Sequence, residues 1–153
     1  MQIRKAVPDD VSAVAQIWHL GWHLAHAGLV DADLVALRTP AEFLERSRMH
    51  LAKTSVIEVA SSVAGFCMVD GNEVYQFYVS PDYHGCGVAA ALMKGAEAAV
   101  AGPVAWLGCA QGNERAAAFY RKAGWVNVRS CAAQVETLSG PRSVQEWIFE
   151  KAL

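Results

Sequence analysis

The stretch from Tyr75 to Leu92 constrains the fold more than any other part of the chain. An apolar run ends at Val79 and the turn Ser80-Pro81-Asp82-Tyr83 follows. His84-Gly85-Cys86-Gly87-Val88-Ala89 then opens an alanine-rich helical segment. A strand that hands two glycines to a helix start gathers unpaired backbone N–H groups and the positive end of a helix dipole in one small volume. That is an anion site suited to phosphate, and glycine supplies the backbone conformations such a loop needs. It also demands strands and helices that alternate, and the rest of the chain complies.

Met1 to Ala6 reads as a short strand. A helix starts at Pro8-Asp9-Asp10, runs through Val11, Val14, Ile17, Trp18 and Leu20 to about Ala27, and ends near Gly28. Another begins at Pro40-Ala41-Glu42 with Phe43, Leu44, Met49 and Leu51 at helical spacing. Ser55 to Ser61 and Val63 to Val69 pair as a hairpin, and the turn Asp70-Gly71-Asn72 makes Glu73 to Val79 the next antiparallel strand. Gly85 to Ala101 is expected to be helical, Val104 to Cys109 a buried strand and Asn113 to Ala123 a helix stopped by Gly124. Two last strands lie near Trp125 to Val135 and Val144 to Glu150. The expected fold is α/β: a mixed central sheet of about seven strands with flanking helices, in a single domain over 1–153.

Two phosphate loops compete for the glycines. No G-x-x-x-x-G-K-[ST] run occurs, which excludes a P-loop. Gly85-x-Gly87-x-x-Ala90 does match the letters of a dinucleotide fingerprint, but four residues separate Val79 from His84. The next strand, Val104 to Cys109, carries no acid to hold a ribose. Composition narrows the partners. With 13 Lys+Arg against 15 Asp+Glu the formal net charge is -2, so no broad basic surface favours nucleic acid or anionic lipid. Apolar residues reach 54% and charged ones 18%, against roughly 25% charged in an average soluble protein, so the chain can fill a core and is not disordered. The same apolar excess makes a homodimer interface an expectation. The uncharged run Val11 to Val30 holds His19, His23, His26, Gln16 and Ser12, too polar for a membrane span. Cys67, Cys86, Cys109 and Cys131 form no C-x-x-C pair, and the charged N-terminus lacks the apolar stretch of a signal peptide, so a cytoplasmic protein with reduced thiols is expected.

Val79-x-Pro81-x-x-His84-Gly85-Cys86-Gly87-Val88-Ala89, followed by Leu92-Met93, resembles the acyl-CoA-binding motif of the GNAT superfamily of N-acetyltransferases, a V-x-P strand end before Q/R-x-x-G-x-G/A. Downstream, Asn113-x-x-Ala116-x-x-Phe119-Tyr120-Arg121-Lys122-x-Gly124-Trp125 resembles that family's N-x-x-A-x-x-F-Y-x-K-x-G-F segment, in the right order and with a strand between. Trp18 to Val30 is similar to the S-W-x-x-A-Y-x-G-L run of one GNAT subgroup. The resemblance implies an N-acetyltransferase moving acetyl from acetyl-CoA to a small-molecule or peptide amine. It implies that the loop from His84 through Gly85, Cys86, Gly87, Val88, Ala89 and Ala90 holds the pyrophosphate. The main chain of Phe77 and Val79 would pair with the pantetheine arm, which Asn113 helps to hold. At His84 the family's usual Gln or Arg is replaced, and a fixed cation with it. A non-catalytic acyl-CoA-binding sensor would use the same loop.

Acetyl transfer from a thioester to an amine needs a deprotonated amine, a stabilised oxyanion and a proton for the departing thiolate. The resemblance puts Tyr120 at the thiolate as general acid and Glu73, six residues before Val79, at the amine as general base, with a water relay as the alternative. A Glu73 that is partly desolvated there would have its pKa raised toward the range of a working base. The backbone N–H of Phe77 is the expected oxyanion donor. His19, His23 and His26 are spaced to share a helix face and could bind a metal. No carboxylate partners them, however, so Trp22, His23 and His26 are instead expected to line the acceptor pocket, where an aromatic face favours an ammonium group. Cys86 and Cys109 lack an evident base and read as packing residues.

Overall fold

In the computed structural model, which describes all residues from Met1 to Leu153, seven strands form one sheet in the order β1-β2-β3-β4-β5-β7-β6. They are β1 Gln2–Lys5, β2 Thr54–Val59, β3 Ser62–Asp70, β4 Glu73–Val79, β5 Val104–Ala110, β6 Val126–Val135 and β7 Arg142–Ala152. All neighbours are antiparallel except β4 and β5. The helices are α1 Val11–His26, α2 Ala32–Leu37, α3 Pro40–Met49, α4 Val88–Ala99 and α5 Glu114–Lys122.

Alternation of side chains along the strands builds a core on each face. Val56, Phe66 and Met68 meet Val14, Trp18 and Trp22 of α1, Leu34 of α2 and Phe43 of α3. On the other face Ile57, Cys67, Val74, Leu107 and Phe149 meet Val88, Leu92, Met93 and Ala96 of α4 and Ala117 of α5. No helix is long and apolar enough to cross a membrane.

The expected mixed sheet of about seven strands is present, with local differences. Helix α4 starts at Val88 rather than Gly85, because Gly85 and Gly87 hold left-handed φ values of 78° and 79° that a helix cannot use. Gly28 has no positive φ, so the chain leaves α1 at His26 without a left-handed cap. Helix α2 carries too few residues for a helical period to register in the sequence; it is held by burial of Leu34. Strand β7 extends beyond both expected ends, to Arg142 and Ala152.

One feature of the sheet positions the cavity. Between β4 and β5 only Glu73 and Trp106 are paired, and beyond that point the strands diverge. Trp106 N–H to Asn72 C=O at 3.0 Å and Asn72 Nδ2 to Val104 C=O at 3.1 Å tie the closed end. Just past it, Tyr75 is the extra residue between the pairs Val69–Val74 and Met68–Gln76, a β-bulge that re-aims β4 beside the opening.

Candidate active site

The diverging strands open a cavity of about 1020 Å³ that also reaches the heads of α4 and α5 and the inner face of α1. At its α4 end, the N–H groups of Gly85, Cys86, Gly87, Val88, Ala89 and Ala90 bond no acceptor in the chain; the first helical bond is Ala91 N–H to Gly87 C=O at 3.1 Å. Six free amides at the positive end of a three-turn helix form a ready anion cradle. Gly85, Gly87, Ala89 and Ala90 line the cavity. Val88 turns its side chain into the core, so it offers the cradle only backbone, and Cys86 is exposed with its thiol 3.7 Å from His84 C=O.

His84 and α5 meet here. His84 Nε2–H donates to Val79 C=O at 3.1 Å, and Nδ1 accepts from Arg115 Nη2 at 2.8 Å. One ring nitrogen donating and the other accepting is the neutral imidazole. The charge beside the cradle therefore belongs to Arg115, 31 residues away, and both side chains line the cavity. Along β4, Ser80 N–H bonds Ala64 C=O of β3 at 2.8 Å. Alternation then turns the N–H groups of Phe77 and Val79 away from β3 into the opening, an unused strand edge. Across from it Asn113 caps α5, its Oδ1 accepting Ala116 N–H at 3.3 Å.

Tyr120, Tyr78, Cys109 and two carboxylates line the cavity as well. Tyr120 packs against Phe119 and Phe149, at 5.8 and 5.5 Å between centroids. Burial, then the neighbouring Cys109, Tyr78 and Glu146, push its phenol well above the usual tyrosine range, so it is a proton holder at neutral pH. Cys109 is pushed up to about 12, first by burial, and stays a thiol. Glu73, at the closed end, is raised to about 7 by burial, then by the charges of Asp70 and Glu146. Glu146 of β7 is raised to about 6 by burial. It fills the space where Gly108 of β5 lacks a side chain: a Cβ there would collide with its carboxylate.

The α1 end is aromatic and charged. Trp22 and His26 stack at 4.8 Å and both line the cavity. His26 Nδ1–H donates to Trp22 C=O at 2.8 Å, and burial lowers its pKa, so its neutral Nε2 is the free atom. His23 does not line the cavity; its Nε2–H donates to Arg38 C=O at 2.7 Å. The rings of His19 and His23 lie 4.7 Å apart, and no three His, Cys, Asp or Glu side chains are grouped as metal ligands. Behind them Arg38 and Arg46, 3% and 1% exposed, share Glu42 and Glu136.

Arg115, Glu146, Tyr78, Arg38 and Arg46 thus join the site. The i, i+4 spacing of Arg38, Glu42 and Arg46 is a signal that pairs them, but what brings all five to the cavity is residues distant along the chain, which spacing does not report.

Residues 48–127 match the family of acetyltransferase (GNAT) domains. An uncharacterised N-acetyltransferase of Mycobacterium tuberculosis is 36% identical over 107 residues, covering 65% of this chain and 66% of the relative, and its Mycobacterium bovis counterpart matches equally. The matched region is therefore just under two thirds of those relatives' length. Among solved structures, a GCN5-related N-acetyltransferase from Rhodopseudomonas palustris superposes with a TM-score of 0.74 at 20% identity, over 99% of this chain and 95% of that one. An acetyltransferase from Salmonella typhimurium, solved with its cofactor acetyl-CoA, gives 0.71 at 18% over 100% and 94%. The PaiA N-acetyltransferase of Thermoplasma acidophilum, in complex with coenzyme A, gives 0.67 at 16% over 99% and 98%. At these identities the likeness is one of fold.

Proposed function

The chain belongs to the GNAT acetyltransferase family, and from that premise we propose that it transfers an acetyl group from acetyl-CoA to a primary amine by direct attack in a ternary complex. The observation that carries this reading is one cavity that joins the unpaired amides of Gly85, Gly87, Ala89 and Ala90, an open strand edge and a buried phenol.

The amides of Gly85 to Ala90 receive the pyrophosphate, with Arg115 adding the positive charge that His84 does not carry. Phe77 and Val79 continue the sheet with the pantetheine arm, beside Asn113. This directs the thioester toward Tyr120. The amine nitrogen attacks the carbonyl carbon, a C–N bond forms, and the oxyanion is met by the N–H of Phe77. Collapse breaks the C–S bond. Tyr120 gives its proton to the leaving sulfur, and Glu73 takes the proton the amine loses, directly or through water. A base poised near 7 suits this task.

A second reading assigns the amine proton to Glu146. Its charge bears on Tyr120, Tyr78 and Cys109, which puts Glu146 beside the reacting end. The acidic limb of kcat/KM separates the two. Glu73→Gln abolishes it if Glu73 is the base, Glu146→Gln if Glu146 is.

The activity is tested by release of CoA thiol from acetyl-CoA with a panel of polyamines, amino acids, aminoglycosides and peptide N-termini. Amine-dependent release is the expected result. Acetyl-CoA binding with no release from any amine is what a sensor module gives, and overturns the enzymatic reading.

A further inference from the structure

We propose that the α1 end of the cavity is built for an amine that also carries a carboxylate, with the guanidinium of Arg38 as its receptor. The proposal rests on the acetyltransfer reading and names the substrate class for it.

Arg38 closes α2 and is held from three sides. Its Nη1 donates to Glu42 Oε1 at 2.7 Å and to Glu136 C=O at 2.6 Å. Its own carbonyl takes the His23 N–H, and its guanidinium lies 5.3 Å from the centroid of the Trp22 ring. The side chain therefore cannot swing away. Yet Nε and Nη2 have no partner in the chain, and Nη2, unlike Nε, is not fully enclosed. Arg38 lines the cavity beside Trp22 and His26. A guanidinium that is 97% buried and keeps a bare donor edge is costly to the fold unless something uses that edge.

The local carboxylates are drawn on by the chain itself, Glu136 Oε2 alone having no partner in it. Glu42 Oε1 serves Arg38 and Arg46, and Oε2 takes the Leu138 N–H at 3.3 Å. Glu136 Oε1 accepts from Arg46 Nε and His50 Nε2, both at 2.9 Å, and from Tyr75 OH at 3.3 Å. Burial first, then the charge of Arg46, pull Arg38 below the ordinary arginine range, so an added anion relieves an existing penalty. A carboxylate oxygen entering the cavity can accept from Nη2, a charge-assisted bond stronger than a neutral one. The opposite requirement holds further in, where Glu73 and Glu146 face the same cavity and favour the ammonium. The phenol of Tyr78 stands between the two ends and feels Arg38 and Arg46 as well as Glu146. One small molecule with both groups meets complementary charge at each end.

The test compares matched acceptors, each an α-amino acid and the amine left when its carboxylate is removed, such as phenylalanine against phenethylamine, by thiol release across pH. The amino acid is expected to have the higher kcat/KM by tenfold or more. Arg38→Met should reduce that ratio to within about threefold, and Arg38→Lys should keep part of it. A ratio of one or less in the unaltered protein, or a loss in Arg38→Met equal for both members, overturns the proposal. The comparison in the unaltered protein and the Arg38→Lys variant stand even if Arg38→Met fails to fold. Thiol release from the amines alone leaves the acetyltransferase standing and this inference fallen. If no amine supports release, titration of both members onto the CoA-loaded protein decides: tighter binding of the amino acid sustains the subsite, and equal binding overturns it.

Discussion

At the scale of single residues, Arg115 and His84 show how a charge can be moved without being lost. The imidazole joins Val79 C=O to the Arg115 guanidinium, and the helix that carries Tyr120 thereby also presents a cation to the cradle of free amides. Arg115→Gln is expected to weaken acetyl-CoA binding about tenfold, roughly 1.4 kcal/mol, and to flatten its salt dependence; calorimetry at two ionic strengths checks both. Unchanged affinity would leave Arg115 as a mere brace for His84. Tyr120→Phe keeps the ring packing against Phe149 and deletes the proton, so kcat should fall by about 10²-fold, a usual lower size for acid catalysis, at nearly constant acetyl-CoA affinity. Turnover at the parent rate would make the phenol a packing group. Gly108→Ala pushes a methyl into the Glu146 carboxylate. It should alter the pH profile more than the melting temperature if Glu146 takes part in proton transfer, and the reverse if it does not.

At the scale of elements, the β2–β3 hairpin turns on Ala60 and Ser61, both left-handed with φ of 50° and 66° and neither a glycine. Each such residue costs of order 1 kcal/mol, so Ser61→Gly should stabilise the protein by about 0.5 kcal/mol after the unfolded chain's added freedom is allowed for. Thermal melts of the two proteins measure it, and a lower melting temperature would refute it. Elements were legible where their cause is local. The strand Glu73–Val79 announces itself through Asp70-Gly71-Asn72 before it, and the cradle through two glycines ahead of an alanine-rich helix. What the sequence hid is pairing over distance. Arg38 meets the Glu136 carbonyl 98 positions on, Arg46 meets the Glu136 carboxylate 90 on, and Glu146 reaches the site only because β7 inserts between β5 and β6. His23 illustrates the limit from the other side: helical spacing puts it with Trp22 and His26, but its ring turns to the Arg38 carbonyl instead of the cavity.

At the scale of the whole molecule, the raised carboxylates tie stability to pH. Glu73 has a folded pKa of about 7 against an ordinary 4.5, so between those values the folded state binds more protons than the unfolded one. Stability from this group is present at low pH and lost as pH rises through that window; Glu146, at about 6, acts in the same direction. Glu73→Gln should melt like the parent near pH 4.5 and above it near pH 8. After discounting for solvent screening of a half-buried group the gap is about 1–2 kcal/mol. Parallel melting curves at the two pH values would show that Glu73 carries no such penalty.

The single rung between β4 and β5 bears on mechanics as well as access. Strands β1 to β4 make one plate and β5, β7 and β6 another, joined edge to edge by Glu73 and Trp106. Under α4 the packing bridges the joint, since Val74, Leu107, Cys109 and Phe149 share one core. Under α1 the fully buried side chains come only from β2, β3 and the three helices on that face. The molecule is thus joined by a continuous core along one face and, along the other, chiefly by the bonds of Arg38, Glu42 and Arg46 to Glu136 and Leu138 beyond β6. A tear begun at the mouth has few backbone bonds to stop it, and whatever lies along the exposed edge of β4 supplies the missing rungs. On the proposed reading the cosubstrate would then also be a structural member, a removable eighth strand that stiffens the two plates for as long as it stays.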